Sequence, residues 1–362
     1  MAFCRRWRRG ALFPVVLVLL LPLLLSVSEL HRDPIAEGGK VSALKKKFDH
    51  LVFGPAAGQG LPDRLQCRGF KALNRMHHST ISQSSSVLES ISFVTVFTIY
   101  NNSQSTNSIS AGNKSTDRVT VGNTSYSKVE KSMAILHTYI DFVQISGALQ
   151  VAMPHSDVKI LTDPASAFSV GRSKTTVLPI NGDYSRGNLM LQRIISYVEF
   201  LETRLKGLLE MPKHINHYIF TDSDIAVVDD LGHIFQNYPH FHLALTFRNN
   251  KDQPINSGFI AVRGTREGIL RAKIFLQRVL EVYSSRYMKA SRMLGDQLAL
   301  AWVVKSQISL DSKQFAKPKP FEAEIHGTRV LFLPCAVYNW TPPEGAGQFH
   351  GMPLDVKVSL QG

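Results

Sequence analysis

The chain has 362 residues, 44% of them apolar, which is long enough for one large domain and a targeting segment. Its 41 lysine and arginine residues outnumber 28 acidic residues and give a net charge of +13. The excess is spread along the chain, without a basic run interleaved with aromatic residues and without zinc-finger spacing. This distribution argues against nucleic-acid binding and suits a smaller anion such as a nucleotide diphosphate.

The N-terminus has the pattern of a targeting segment. Four arginines among the first ten residues precede an apolar run over residues 11–27. A helix needs roughly 17–25 apolar residues to cross a membrane, and positive charge before the run keeps the N-terminus in the cytosol. We therefore predict a cytosolic tail over residues 1–10 and a signal anchor over residues 11–28. Ser26 and Ser28 leave a cleaved signal peptide, and thus a secreted protein, as the alternative.

Possible glycosylation sites support a body that faces a lumen or the exterior. Asn-x-Ser/Thr sequons begin at four positions, which are Asn101, Asn113, Asn123 and Asn339. Two cysteines of the body, Cys67 and Cys335, can form a disulfide bond if that compartment is oxidising.

Beyond residue 90 the pattern is that of a folded domain. Residues 29–90 show no sustained apolar period, and we interpret them as a stem. In chain order, the elements predicted after the stem are a strand at 91–100, a helix at 128–146, a strand at 158–162, a helix at 187–209, strands at 217–220, 242–247 and 259–262, helices at 266–284 and 298–304, and a strand at 330–333. This alternation predicts an α/β domain over residues 91–358, with a mostly parallel sheet flanked by helices.

The predicted helix over residues 187–209 has one clear apolar face. Its apolar side chains recur every three or four residues, and they are Leu191, Ile194, Ile195, Val198, Leu201 and Leu205. The later helix at 266–284 has a capping residue, Thr265, at its start.

Two carboxylates follow the strand at 217–220. Asp222 and Asp224 are separated by Ser223, so in an extended chain they project from the same face at the carboxyl end of a buried strand. Adjacent carboxylates repel each other unless a positive charge compensates, and hard oxygen ligands suit Mn²⁺ or Mg²⁺. The pattern therefore predicts a divalent-cation site that can grip a diphosphate leaving group.

Three other interpretations of these acids are open. A calcium loop requires glycine at its sixth position, where this chain has Val227. A phosphatase with an aspartate nucleophile places such a pair after the first strand of its domain, whereas here at least two predicted strands come first. A turn of solvated acids is the third alternative.

Two further motifs lie downstream, at residues 256–258 and 295–297. The ordered set of Asp-x-Asp, Asn-Ser-Gly-Phe and Gly-Asp-Gln resembles the motifs of nucleotide-diphospho-sugar transferases. It is most similar to plant-type, membrane-anchored members related to family-8 glycosyltransferases. The resemblance covers roughly residues 91–357, and it implies the Rossmann-like fold called GT-A.

The resemblance implies a site for a nucleotide-sugar donor. The donor-binding residues it implies are Tyr100, Arg186, Asp222, Ser223, Asp224, Asn256, Ser257 and Gly258. The metal ligands among them would be Asp222 and Asp224. Asp296 and Gln297 would be the catalytic residues, because they would reach the transferred sugar or the acceptor near the reacting carbon.

Single residues of this set have simpler alternatives. Tyr100 would stack on the uracil base and Arg186 would face the donor phosphate, but Arg186 is equally typical of a solvated arginine. Gly258 would let backbone approach the ligand, and the alternative is a turn or bulge. Asp296 is also typical of a helix N-cap, and both roles can hold at once.

Family-8 enzymes supply a third metal ligand from a late His-x-x-Gly-x-x-Lys-like segment. This sequence ends at Gly362 without that segment, and neither His326 nor His350 fits its pattern. We interpret the chain as truncated just before the motif.

The function expected from this resemblance is that of a metal-dependent glycosyltransferase. It would move a hexose or pentose from a nucleotide-diphosphate donor, such as a UDP-sugar, to a glycan or cell-wall acceptor. The chain would be a single-pass type II protein of the Golgi membrane. The first alternative is a catalytically silent, membrane-anchored domain that binds a nucleotide sugar or a partner enzyme, and the second is a phosphatase.

Overall fold

The computed structural model describes the chain from Leu88 to Leu360, with gaps. The described residues are 88–99, 118–121, 124–127, 133–141, 143, 156–166, 168–208, 214–248, 254–290, 294–309, 313–342, 352–353 and 355–360. Tyr100, Cys67, His350, the asparagines of the first three sequons, residues 1–28 and nearly all of the predicted stem lie outside them. No helix within the described ranges is both long and apolar enough to span a membrane.

The fold is built on a central eight-stranded sheet. The described strands are β1 (Leu88–Val96), β2 (Arg118–Val121), β3 (Thr124–Ser127), β4 (Asp157–Thr162), β5 (Thr175–Pro179), β6 (His214–Thr221), β7 (Ile225–Val227), β8 (Leu243–Phe247), β9 (Ile255–Val262), β10 (Phe321–Ile325), β11 (Thr328–Pro334) and β12 (Val358–Leu360). The spatial order of the large sheet is β10-β11-β8-β9-β6-β1-β4-β5. Two small pairs, β2 with β3 and β7 with β12, lie outside it.

Helices cover both faces of this sheet. The described helices are α1 (residues 133–141), α2 (Leu189–Gly207), α3 (Gly232–Asn237), α4 (Arg266–Val282) with a π-helical turn over Tyr283–Tyr287, α5 (Gly295–Lys305), α6 (Lys313–Ala316) and α7 (Cys335–Tyr338). Neighbouring residues of β6 show the two layers, because Ile219 packs in the cluster that contains α1 and α3, whereas Phe220 packs in the cluster that contains α2, α4 and α5. The expected α/β class with helices on a mostly parallel sheet is therefore confirmed.

One strand of the large sheet runs against its neighbours near the acidic pair. β1 is parallel to both β4 and β6, and β8 is parallel to β11. β9, however, is antiparallel to both β6 and β8, and Thr221 at the end of β6 pairs with Phe259 in the middle of β9. The start of β9 consequently lies at the same edge of the sheet as the end of β6.

Each predicted strand and helix is present, with shifted ends. The first strand begins at Leu88, three residues before the expected start, and ends at Val96. Thr265 caps α4 as expected, because its side chain accepts a hydrogen bond from the N–H of Gly268 at 3.1 Å. Several short elements were not predicted: β2, β3, β5, β7, β10, β12, α3, α6 and α7.

Cys335 is a buried free thiol in the structure. Burial raises the pKa of this thiol to about 11, so it stays protonated and unreactive near neutral pH. It forms no disulfide bond in the structure, and its expected partner, Cys67, lies outside the described residues.

Candidate active site

Three segments that are distant in sequence meet at one edge of the sheet. Asp222 directly follows β6, residues 256–258 lie at the start of β9, and Asp296 lies at the start of α5. The backbone N–H of Asp222 donates to the carbonyl of Gly258 at 3.3 Å. The structure therefore brings the three sequence motifs to the edge at which open α/β sheets bind ligands.

Arg193, on the buried face of α2, joins these segments. Its Nη1 donates to Asp222, and its Nη2 donates to Asp296 and, at 2.9 Å, to the hydroxyl of Ser257. Burial by itself would lower the pKa of the guanidinium, but the negative charges of Asp222 and Asp296 outweigh it and raise that pKa above its ordinary value. Arg193 is thus a permanent buried cation that holds two carboxylates together.

Arg193 was not among the residues predicted from the sequence. The predicted arginine, Arg186, is exposed in the segment before α2, and its role stays a prediction. The predicted apolar residues were placed on one face of α2, and the buried face of this helix also carries polar side chains: Gln192, Arg193 and Ser196. An arginine directly beside two apolar stripe positions, Ile194 and Ile195, was the signal available in the sequence.

The acidic pair does not have the extended geometry that was expected. Ser223 and Asp224 form a tight turn between β6 and β7, so an i, i+2 arrangement along a strand is wrong. The two carboxylates nevertheless interact. Partial desolvation and the negative charge of Asp222 raise the pKa of Asp224 to about 6, although its side chain is exposed.

Gly258 lies where polar groups crowd together. A Cβ atom on this residue would lie 2.7 Å from Oδ2 of Asp222 and 3.0 Å from Oδ1 of Asn256. The pairing of β8 with β9 also shifts here, because Leu245 pairs with Ile260 and Thr246 pairs with Asn256. The register shift agrees with the alternative of a bulge at Gly258, whereas the approach of its backbone to a ligand stays a prediction.

Asp296 and Gln297 are buried in the first turn of α5. The N-cap of this helix is Leu294, so the alternative role of Asp296 as N-cap is wrong. A carboxylate in the first turn is still stabilised by the helix dipole. A Cβ on Gly295 would lie 2.5 Å from the ring of Tyr283, the first residue of the π-helical turn, so this turn packs directly behind the motif.

Asn339 was expected as a glycosylation sequon, and the structure places it in the site instead. Its side chain is 4% exposed. Its Nδ2 donates to Oδ1 of Asn256 at 2.7 Å, and the same oxygen accepts a hydrogen bond from the N–H of Gly258 at 2.7 Å. A glycan on Asn339 is incompatible with this packing, so its interpretation as a glycosylation site is wrong for the folded chain.

No third carboxylate or histidine joins the acidic pair among the described residues. No group of three His, Cys, Asp or Glu side chains within these ranges is arranged to hold a metal. His326 lies in the turn between β10 and β11. Because β11, β8 and β6 run in the same direction, the start of β11 is at the opposite edge of the sheet from Asp222.

The chain matches no model of a known protein family. No curated protein matches its sequence significantly either. A function must therefore be argued from the geometry of this site.

Proposed function

We propose that the protein is a metal-dependent glycosyltransferase with the GT-A fold. In this proposal it transfers a hexose or pentose from a nucleotide-diphosphate donor, such as a UDP-sugar, to a glycan or cell-wall acceptor. The observation that carries the proposal is the buried cluster in which Arg193 binds Asp222, Ser257 and Asp296. Each of the three motifs that resemble those of nucleotide-diphospho-sugar transferases contributes one residue to that cluster.

The chemistry of the cluster suits a sugar. A sugar hydroxyl both donates and accepts hydrogen bonds, so its binding site needs acceptors and donors side by side. Asp222 and Asp296 supply carboxylate acceptors, and Arg193 supplies donors. Nε of Arg193 is buried without a hydrogen-bond partner within the described ranges, which leaves one donor for a ligand oxygen.

The residues present also fit a divalent cation. Asp222 and Asp224 offer oxygen ligands of the type that Mn²⁺ and Mg²⁺ prefer. The single positive charge of Arg193 offsets one of the two negative charges of Asp222 and Asp296, and Arg193 makes no described hydrogen bond to Asp224. A cation held by the acidic pair would relieve the repulsion at Asp224 and would take up the negative charge of the departing diphosphate.

The chain's own residues then orient the sugar. Asp296 is the buried carboxylate of the cluster, and its ion pair with Arg193 fixes it in place. We assign Asp296 and its neighbour Gln297 to the transferred sugar. Gly258 keeps the backbone of β9 close to Asp222, so the sugar and the diphosphate would be held on adjoining surfaces.

The cellular part of the proposal follows from the N-terminal sequence. Residues 11–28 would anchor the chain in the Golgi membrane as a single-pass type II protein with the catalytic domain in the lumen, where glycan acceptors are found. A nucleic-acid partner is not part of this proposal.

Donor turnover by the purified full-length protein tests the proposal. The protein is incubated with Mn²⁺ and a panel of UDP- and GDP-sugars, and the free nucleoside diphosphate is measured. We expect Asp222→Asn and Asp224→Asn each to lower turnover by about 10²-fold or more, because each removes a carboxylate that would hold the cation at the leaving group. Asp157→Asn is the matched control, because Asp157 begins β4 at the opposite edge of the sheet.

Each outcome of this experiment has a distinct meaning. Thermal stabilisation by a nucleotide sugar without turnover would favour the silent binding domain. If no member of the panel causes either turnover or stabilisation, the proposal is wrong. Equal turnover by the wild-type protein and both aspartate variants would exclude the acidic pair as the site.

A further inference from the structure

Asn339 is a buried polar residue at the edge of the candidate site. It directly follows α7, and its backbone N–H donates to the carbonyl of Cys335 at 3.0 Å. β11 leads into α7 at the carboxyl edge of the sheet, which is the edge that carries Asp222. The residue therefore reaches the site from a strand that none of the three sequence motifs occupies.

The hydrogen bonds around Asn256 fix the orientation of the Asn339 amide. Oδ1 of Asn256 accepts from the N–H of Gly258, so this atom must be an acceptor. Asn339 therefore presents its Nδ2 to it, at 2.7 Å, and its own Oδ1 must point elsewhere. Oδ1 of Asn339 is buried and has no hydrogen-bond partner in the part of the chain that the structure describes.

Asn339 and Asp222 flank the same glycine. Nδ2 of Asn339 lies 3.1 Å, and Oδ2 of Asp222 lies 2.7 Å, from the position that a Cβ on Gly258 would take. The amide is thus part of the same wall as the carboxylate that we assign to the metal and the donor.

A buried amide carbonyl without a partner is costly and calls for a hydrogen-bond donor. An ionised diphosphate cannot supply one, because its oxygens are acceptors, whereas a sugar hydroxyl can. We propose that Oδ1 of Asn339 accepts a hydrogen bond from a hydroxyl of the transferred sugar, and that Asn339 is a specificity-determining residue rather than a glycosylation site. This inference rests on the proposed function.

The sequon around Asn339 supplies a matched pair of variants. Asn339→Ala removes the sequon and the amide together, whereas Thr341→Val removes the sequon and leaves the amide in place. If a glycan at Asn339 were important, the two variants would behave alike. If Asn339 binds the sugar, only Asn339→Ala is affected.

Calorimetric binding to the full-length protein with Mn²⁺ tests the inference. The two probes are the tightest-binding nucleotide sugar of the panel and its parent nucleoside diphosphate without the sugar. For Asn339→Ala we expect the Kd of the nucleotide sugar to rise about tenfold, the scale of one lost hydrogen bond in a buried site, and that of the nucleoside diphosphate by less than about twofold. Thr341→Val should change neither Kd by more than about twofold.

The outcomes separate this inference from the proposed function. A wild-type protein that binds no nucleotide sugar overturns both. Binding by the wild-type protein that Asn339→Ala leaves unchanged, or an equal loss for both probes, overturns the inference alone, because a bridging water or a structural role would then account for Asn339.

A second measurement does not depend on whether a variant folds. Peptide mapping of the wild-type protein, produced in a secretory pathway, measures the fraction of Asn339 that carries a glycan. We expect none, because the atom that would receive the glycan is buried and hydrogen-bonded to Asn256. A glycan on Asn339 in folded protein overturns the inference.

Discussion

Replacing Arg193 by methionine tests the electrostatic core of the site. Methionine has a similar length and no charge, so Arg193→Met keeps much of the packing and leaves the carboxylates without their cation. Asp222 is 34% exposed, and water can replace part of its lost partner. Asp296 is 3% exposed, so its charge would be buried without compensation.

Most of the stability lost in Arg193→Met is therefore expected to come from Asp296. Removal of one partner from a buried ion pair costs about 3–5 kcal/mol, which for a domain of this size lowers Tm by roughly 6–20 °C. Urea unfolding followed by tryptophan fluorescence measures this loss, and the fully buried Trp340 is a suitable internal probe. The control is Arg186→Met, which removes an exposed arginine and should change the unfolding free energy by no more than about 0.5 kcal/mol.

A second substitution at the same pair isolates the charge effect. Asp296→Asn removes the uncompensated charge, so the double variant Arg193→Met/Asp296→Asn should be less destabilised than the sum of the single variants, with a coupling on the order of 2 kcal/mol. A loss of less than about 1 kcal/mol in Arg193→Met, or strict additivity in the double variant, would refute the reasoning.

Three further changes have expected outcomes. Gly258→Ala places a Cβ 2.7 Å from the Asp222 carboxylate, so nucleotide-sugar binding measured by calorimetry should weaken by about tenfold or more. Gly295→Ala drives a Cβ to 2.5 Å from the Tyr283 ring and should lower the unfolding free energy in urea by about 1–3 kcal/mol. Burial lowers the pKa of His217 in the folded chain, so as the pH falls the imidazole of the unfolded chain becomes protonated before that of the folded chain. Stability should therefore fall below pH of about 6.5, by up to about 1.4 kcal/mol per pH unit, and His217→Gln should reduce that slope.

The order of strands and helices follows from local patterns, whereas several of their ends do not. The first strand begins earlier than its apolar run because serines can be buried when they have partners. Ser90 donates to Asn216 at 2.6 Å, and Asn216 donates to Ser92 at 2.8 Å. Those partners are on β6, more than a hundred residues away, so no local pattern shows them.

The candidate site, too, was predictable only in part from the sequence. Asp222, Ser257 and Asp296 belong to recognisable motifs, and the structure joins them. The charge that joins them comes from Arg193, whose burial depends on two acids located 29 and 103 residues further along the chain. Asn339 was misread because a sequon is a three-residue pattern, while its burial is a property of the whole fold.

Because β9 runs antiparallel to β6, the geometry of the site does not depend on how many residues lie between its first two motifs. After Asp222 the polypeptide leaves the edge through β7, α3 and β8 and comes back to it at Asn256. Hydrogen bonds between β6 and β9, together with those of Arg193 to Asp222 and Ser257, fix where the two motifs meet, so insertions or deletions in the loops of the excursion would leave the site intact. One residue added inside β9, by contrast, would turn every following side chain to the other face of the sheet. A change in chain length is thus expected to leave the site intact in the loops before β9 and to disrupt it inside β9.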